Sequence, residues 1–135
     1  MIGLDTNVLV RYLAQDDVRQ SAVATRLIEQ TLTPAQPGFI SLVVLVELCW
    51  VLKRLYGAKE SELVDTVAAL LEAGTFRVEH RTVVQSALAQ MSQRPGGKAS
   101  FADALVVALA HHHGCAQTLT FDKGAVAAVG MTLLA

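Results

Sequence analysis

Two aspartates follow short apolar runs that have the length of buried strands. Asp5 comes directly after residues 2–4, and Asp122 comes directly after residues 118–121. Such runs are too short for helices and are typical of a parallel sheet, whose strands end at one edge. We therefore expect both carboxylates at the edge where open α/β sheets bind their ligands. Each also has a purely structural interpretation, because Asp caps helices well and often opens a turn.

Two further acids are single charges inside long apolar segments. Glu47 is the only charged residue of 42–52, and Asp103 is the only charged residue of 99–110. A helix that is apolar all round is normally buried, so we expect a buried Glu47 carboxylate that needs a cationic partner. A salt bridge to an arginine of another helix is one such partner, and a metal ion is another. Asp103 follows Ser100 at the spacing of a helix capping box, so it has a structural alternative as well.

Together the four acids predict a metal site and chemistry at phosphate. Four carboxylates packed side by side without cations repel one another and destabilise the fold. Oxygen ligands suit hard cations, above all Mg²⁺ or Mn²⁺, and no His or Cys stands at zinc-ligand spacing with these acids. Such a metal polarises a phosphoryl oxygen and makes hydroxide from water near neutral pH, which serves hydrolysis or transfer at phosphate.

The elements that must position these acids alternate between short strands and helices. That alternation is typical of a parallel sheet covered on both faces, so we predict an α/β fold in one domain, 1–135, interrupted only by a loop at 94–97. An apolar stripe of Val18, Ala22, Ile28 and Leu32 marks the second helix. The predicted strands are 2–4, 39–40, 76–78, 118–121 and 131–133; helices begin after Asp5 and at Asp16–Asp17, and cover 42–56 (capped by Ser41, ended by Gly57), 61–73, 82–93, 101–113 and 123–129.

The composition describes a compact globular chain with a rather apolar surface. Of the 135 residues, 53% are hydrophobic and 17% are charged, and the formal net charge is -1. A nucleic acid would therefore have to be held by a local basic patch or by metal ions. The N-terminus lacks a secretory signal, and the apolar run 39–52 is too short to cross a bilayer, so we expect a cytoplasmic protein without membrane contact. Cys49 and Cys115 are predicted to be buried, reduced thiols.

Four motifs in this order resemble those of the PIN-domain ribonucleases, most closely the toxins of bacterial and archaeal VapBC-type toxin–antitoxin pairs. The motifs are Leu-Asp-Thr-Asn at 4–7, Glu47 in its apolar helix, Phe-Ala-Asp-Ala-Leu at 101–105 and Thr-Phe-Asp-Lys at 120–123. The resemblance implies a three-layer α/β/α sandwich with a five-stranded parallel sheet in the order 3-2-1-4-5. It also implies that Asp5, Glu47, Asp103 and Asp122 hold Mg²⁺ or Mn²⁺ and cut RNA, with Thr6 supporting Asp5 by hydrogen bonding.

The chain departs from some members of that family at two positions. A further acid stands there one turn before the Asp103 position or just after the Asp122 position, where this chain has Ser100 and Gly124. The departure bears on how tightly a second metal is held. Four basic residues near the acids in sequence, Arg11, Lys53, Arg54 and Lys123, are candidates for contact with RNA backbone, although a solvated charged face is the commoner role for each.

The apolar helices also predict partners. Residues 42–56 and 64–71 carry more hydrophobic surface than one small sheet can cover, and large apolar patches usually mark interfaces. Closed two-fold dimers are the commonest solution and occur in the resembled family, so we expect a homodimer, with Trp50 in the core or at the interface. The resemblance further implies an antitoxin that lies in an apolar groove and places a basic side chain among the acids.

Two other classes of protein also fit acids at strand ends. A phosphotransfer domain, such as a response-regulator receiver or an aspartyl-phosphate phosphatase, needs a second acid near the first. This chain has Thr6 and Asn7 there, which argues against that class. A non-catalytic PIN-like scaffold that only binds partners has no need of four acids in apolar surroundings.

Overall fold

The chain forms two compact units, Met1–Glu79 and His80–Ala135. The computed structural model describes residues 1–93 and 99–135, so the predicted loop at 94–97 lies outside the described residues. Each unit is described by itself below. The assignment of 1–135 to a single domain, and the three-layer arrangement of the whole chain, stay predictions.

The first unit is built on a three-stranded parallel sheet whose strands alternate with helices. The strand order is β1-β2-β3, in which Ile2 pairs with Gly38 and Gly38 pairs with Phe76. Helix α1 packs against both α2 and α3. The elements are β1 Ile2–Gly3, α1 Thr6–Ala14, α2 Val18–Arg26, a π-helical turn Leu27–Thr31, β2 Gly38–Ile40, α3 Leu42–Tyr56, α4 Glu60–Glu72 and β3 Phe76–Val78.

Helix α3 has the predicted bounds because both of its caps are local. The Ser41 hydroxyl accepts a hydrogen bond from the Val44 N–H at 3.1 Å. Gly57 ends the helix in the left-handed region, with φ of 67°, where a residue without Cβ is favoured. No helix of the described ranges is both long enough and apolar enough to cross a membrane.

The second unit contains three helices and one pair of parallel strands among its described residues. In that pair Leu119 lies opposite Thr132, and Thr120 lies opposite Leu133. Helix α6 packs against both α5 and α7. The elements are α5 Arg81–Gln93, α6 Phe101–His112, β4 Leu119–Thr120, α7 Lys123–Val129 and β5 Thr132–Leu133.

The predicted five-stranded sheet is wrong for the described residues, whose strands form one three-stranded and one two-stranded sheet. The parallel pairings 3-2, 2-1 and 4-5 are confirmed, whereas a pairing of the first strand with the fourth is not present. The fourth strand covers Leu119–Thr120, which is shorter than the predicted 118–121. Directly after it, the Thr120 hydroxyl accepts a hydrogen bond from the Asp122 N–H at 3.0 Å.

The apolar stripe predicted for the second helix is half right. Ile28 and Leu32 are buried, but Val18 is 93% exposed and Ser21 and Ala24 face inward instead. Ser21, Ala24 and Ile28 are spaced as i, i+3 and i+7, so they share one face of an ordinary helix, and Val18 and Ala22 lie to the side of that face.

The two cysteines differ in their surroundings. Cys49 is buried on α3, and Cys115 is exposed after α6, so the prediction of two buried thiols is wrong for Cys115. Both are free of disulfides. Burial raises the pKa of the Cys49 thiol to about 12, and the charge of Glu60 adds to the effect. Cys115 follows the end of α6. The apolar residues that precede it in sequence therefore do not cover its side chain.

Candidate metal centre

Asp5 and Glu47 line the same pocket in the first unit. Asp5 lies between β1 and α1, and Glu47 lies in the second turn of α3, so the packing of α1 against α3 brings their positions to one cavity of about 260 Å³. Both side chains are exposed. The lining consists of Asp5, Thr6, Asn7, Val10, Arg11, Glu47, Val51, Leu55 and Tyr56.

Asp5 caps α1 and keeps one oxygen for another partner. Its Oδ1 accepts a hydrogen bond from the Thr6 N–H at 2.8 Å, with the backbone of Asp5 extended as a cap requires. The structural alternative for Asp5 is therefore present. The second oxygen, Oδ2, makes no hydrogen bond with any described residue of the unit. Capping and ligand binding are thus compatible, because they use different oxygens of one carboxylate.

Thr6 lines the pocket, and its buried hydroxyl has no hydrogen-bond partner among the described residues. Thr6 is only 4% exposed, and its Oγ1 is buried. Support for Asp5 therefore comes from the Thr6 backbone N–H and not from the hydroxyl. Buried hydroxyls in folded proteins almost always have a partner, and Thr6 shares this exception with Ser21, whose hydroxyl is also buried without a partner among the described residues.

Glu47 is exposed, which makes the prediction of a buried carboxylate wrong. Helix α3 turns Leu45, Leu48 and Leu52 toward the core, and Glu47 lies on the opposite side with Val43 and Trp50. A helix is buried on all sides only where other elements cover all of its sides. The elements that pack against α3 cover only one side of it. The salt bridge considered for Glu47 is also not present, since it pairs with no described basic residue of its unit.

Arg11 lines the pocket from α1 and is held by two side chains, Gln20 and Asp16. Its Nε donates to Gln20 Oε1 at 2.7 Å, and its Nη1 lies 3.2 Å from Asp16 Oδ1. The Tyr56 hydroxyl donates to Asp16 Oδ2 at 2.5 Å. This hydrogen bond holds the pKa of Asp16 below its usual value and raises the pKa of Tyr56. Arg11 thus has a fixed position in the pocket that Asp5 and Glu47 line. Its guanidinium can bind a negatively charged group that reaches these two carboxylates.

Sequence reasoning missed most of this group. It identified Arg11 as a possible contact for RNA and treated Asp16 only as the start of a helix. Asp16 and Tyr56 are 40 positions apart. No spacing rule connects them, because their contact arises from the packing of α1, α2 and α3.

Asp103 and Asp122 both lie at the start of a helix in the second unit. The Asp103 N–H donates to the Ser100 hydroxyl at 3.0 Å, which is one half of a capping box. The other half, from the Ser100 N–H to the Asp103 carboxylate, is not among the described hydrogen bonds. Asp122 Oδ1 accepts from the Gly124 N–H at 2.8 Å and caps α7, so the predicted turn alternative is present.

Asp5 and Asp122 each use one carboxylate oxygen, Oδ1, for a capping hydrogen bond, so the other oxygen is available to a ligand. Within each unit taken alone, the described residues bring no three His, Cys, Asp or Glu side chains to metal-binding distance. In the first unit the carboxylates at the pocket are Asp5 and Glu47, accompanied by the Thr6 hydroxyl. An oxygen-only set of this kind fits a hard divalent cation such as Mg²⁺, which keeps several waters and takes only a few protein ligands.

Comparison with known proteins gives a family. A family model of the PIN domain matches residues 2–130. None of the curated proteins matches the sequence. Among solved structures, the chain is similar to the crystal structure of Mycobacterium tuberculosis VapC20, described as a sarcin–ricin loop cleaving toxin, with 24% identity, 98% of this chain and 97% of that chain covered, and a TM-score of 0.46. The PIN-domain model matches nearly all residues of this chain, and the chain therefore belongs to the PIN-domain family.

Proposed function

We propose that this chain is a metal-dependent endoribonuclease and the toxin of a VapBC-type toxin–antitoxin pair. The observation that carries the proposal is that Asp5 and Glu47 line one pocket in a chain of the PIN-domain family. These are two of the four acids that the resemblance to VapBC-type toxins assigns to the metal.

The proposed ligands of Mg²⁺ or Mn²⁺ are Asp5, Glu47, Asp103 and Asp122. When bound, such an ion polarises the scissile phosphate and lowers the pKa of a coordinated water. Asp5 presents Oδ2 in a defined direction, because its Oδ1 is fixed by the Thr6 N–H. Arg11, held by Asp16 and Gln20, provides a positive charge for the phosphate that reaches the acids.

The proposed partners are an RNA substrate, a cognate antitoxin and a second copy of the chain, all in the cytoplasm. Support for protein partners comes from the outer side of α3, where Val43 is 78% exposed and Trp50 is 58% exposed. Helix α4 does not support the same argument, because its apolar residues Leu63, Val67 and Leu70 are buried. An antitoxin that brings a basic side chain to Asp5 and Glu47 would neutralise the acids and exclude metal.

RNA cleavage by the parent and by Asp5→Asn tests this proposal. The exchange keeps the shape of the side chain and its ability to cap α1, so the fold is retained. We expect a rate loss of about a hundredfold or more in Mg²⁺ or Mn²⁺, and complete loss for the parent in chelator. Asp65→Asn, an exposed acid of α4, is the matched control and should cut like the parent.

Four results would contradict the proposal. Equal rates for the parent and Asp5→Asn would remove Asp5 from the mechanism, and cleavage that persists in chelator would remove the metal. A parent that leaves RNA intact but takes up phosphate from a small labelled phosphate donor would be a phosphotransfer domain. A parent that does neither would be a scaffold.

A further inference from the structure

A second groove adjoins the acidic pocket in the first unit. It lies between α1 and α2 and has a volume of about 430 Å³. Asn7 and Arg11 line both cavities, so the two adjoin at these side chains. The lining consists of Asn7, Val8, Arg11, Arg19, Gln20, Val23, Ala24 and Leu27.

The charge of this groove is opposite to that of the acidic pocket. Its lining contains two arginines and no acid, whereas Asp5 and Glu47 line the neighbouring cavity. Arg11 has a fixed position because Asp16 and Gln20 hold it. Arg19 is exposed and makes no ion pair or hydrogen bond with the described part of the chain, so its guanidinium is available to a ligand.

Apart from the arginines, Asn7 and Gln20, the lining is apolar. Val23 is exposed, and Val8 and Leu27 are half-buried, so these side chains offer a surface to a flat ring. Single-stranded nucleic acids are bound by a groove that combines positive charge for the backbone with surfaces against which bases pack. Arg11 and Arg19 provide the positive charge, and the aliphatic Val8, Val23 and Leu27 provide apolar contact where other such grooves have aromatic rings.

We infer that the groove between α1 and α2 binds the nucleotide next to the cleaved phosphodiester of a single-stranded RNA, with Arg19 as a phosphate contact. This inference rests on the proposed nuclease function. Arg11 stands at the junction, where the strand passes from the acids to the groove. Arg19 binds a part of the substrate that does not react, so it contributes to substrate affinity and not to the chemical step.

Arg19→Ala tests the inference against Arg26→Ala, a matched control on the same helix. Both arginines are exposed and both exchanges remove one charge, but Arg26 does not line the groove. We expect Arg19→Ala to raise KM for RNA about three- to tenfold at low salt, with kcat within about twofold of the parent. The slope of log KM against log salt should fall by about 0.7, as for one lost phosphate contact to a single strand. Arg26→Ala should change neither quantity.

Fluorescence anisotropy of a labelled single-stranded RNA in chelator separates this inference from the nuclease proposal. If the parent binds RNA, and only Arg19→Ala weakens binding, the groove assignment stands even when no cleavage is seen. Equal KM, affinity and salt slope for the parent and Arg19→Ala would overturn it, which is also the result expected if the groove takes a protein segment. Equal losses in both arginine variants would overturn it as well, because they indicate a general charge effect. An RNA that the parent neither binds nor cuts overturns both proposals.

Discussion

Replacing Gly38 by alanine tests the packing that places Asp5 at the end of its strand. Gly38 lies in the middle strand, β2, opposite Ile2. A Cβ at this position would lie 2.7 Å from Leu4 Cδ1 and 2.8 Å from Leu32 Cδ1. Both leucines are buried, so neither can move away without disturbing the core. Since Leu4 directly precedes Asp5, the exchange strains the backbone that carries the first carboxylate.

The expected loss follows from two opposing effects. Overpacking a buried site typically costs about 1–3 kcal/mol, and a Gly to Ala exchange returns about 0.4–1 kcal/mol by restricting the unfolded chain. We therefore expect Gly38→Ala to lower the free energy of unfolding by about 1–2 kcal/mol and the melting temperature by roughly 3–8 °C. Urea and thermal denaturation followed by circular dichroism measure both.

Gly3→Ala is the matched control for this prediction. Gly3 lies in the neighbouring strand β1, and a Cβ there would meet nothing within 4 Å. We expect this variant to be at least as stable as the parent, because only the effect on the unfolded chain remains. If Gly38→Ala is as stable as Gly3→Ala, Leu4 and Leu32 do not pack against Gly38 as described.

Four further predictions concern Asp103, the two cysteines and the oligomeric state. Asp103→Asn should melt no lower than the parent in chelator and gain less from Mn²⁺, because the hydrogen bond to Ser100 uses the Asp103 N–H; a clear loss in chelator would assign the carboxylate to capping. Iodoacetamide at pH 8 should label Cys115 in the native protein and leave Cys49 unmodified. The reason is that a thiol with a pKa of about 12 holds roughly a thousandfold less thiolate than a thiol with a pKa of 9.0. Equal labelling of the two cysteines would contradict the burial of Cys49. The raised pKa of Cys49 also means that its contribution to stability is complete below pH 9.0 and is lost as the pH rises toward 12. Light scattering during size exclusion at tens of micromolar should give the mass of a dimer, and a monomeric mass would exclude a tight one.

Local signals predicted most elements of the fold. Phe76–Val78 and Lys123–Val129 have the predicted bounds, as α3 does, because short apolar runs, caps and glycine stops act within a few residues. The second helix shows the limit of periodicity. Its buried positions before Ile28 are the small residues Ser21 and Ala24, whereas the apolar Val18 and Ala22 are exposed, so apolar spacing alone does not identify the inward face. The joining of all strands into one sheet depends on contacts distant in sequence, and that prediction was wrong.

The sequence indicated which acids are candidates for the site, but it did not predict the burial of these acids or the residues around them. Asp5 was placed at the end of a strand by its local sequence, and the structure has it there as a cap. Glu47 was expected to be buried, because an all-apolar helix does not reveal which of its sides is covered by neighbours. The hydrogen bonds among Arg11, Asp16 and Tyr56 could not be predicted, since three elements meet there only after folding. The assignment of Asp103 and Asp122 as ligands stays a prediction.

Glu47→Gln tests the central claim most directly. Glu47 is exposed and makes no ion pair or hydrogen bond with described residues of its unit, so removing its charge leaves the fold intact. A change in activity therefore reports on the chemistry at the pocket and not on stability. Glu72→Gln, an exposed acid at the end of α4, is the control. With labelled RNA and Mn²⁺, the account predicts that Glu47→Gln cuts at least about tenfold more slowly than the parent and Glu72→Gln cuts equally fast. Equal cleavage rates for Glu47→Gln and the parent would contradict it.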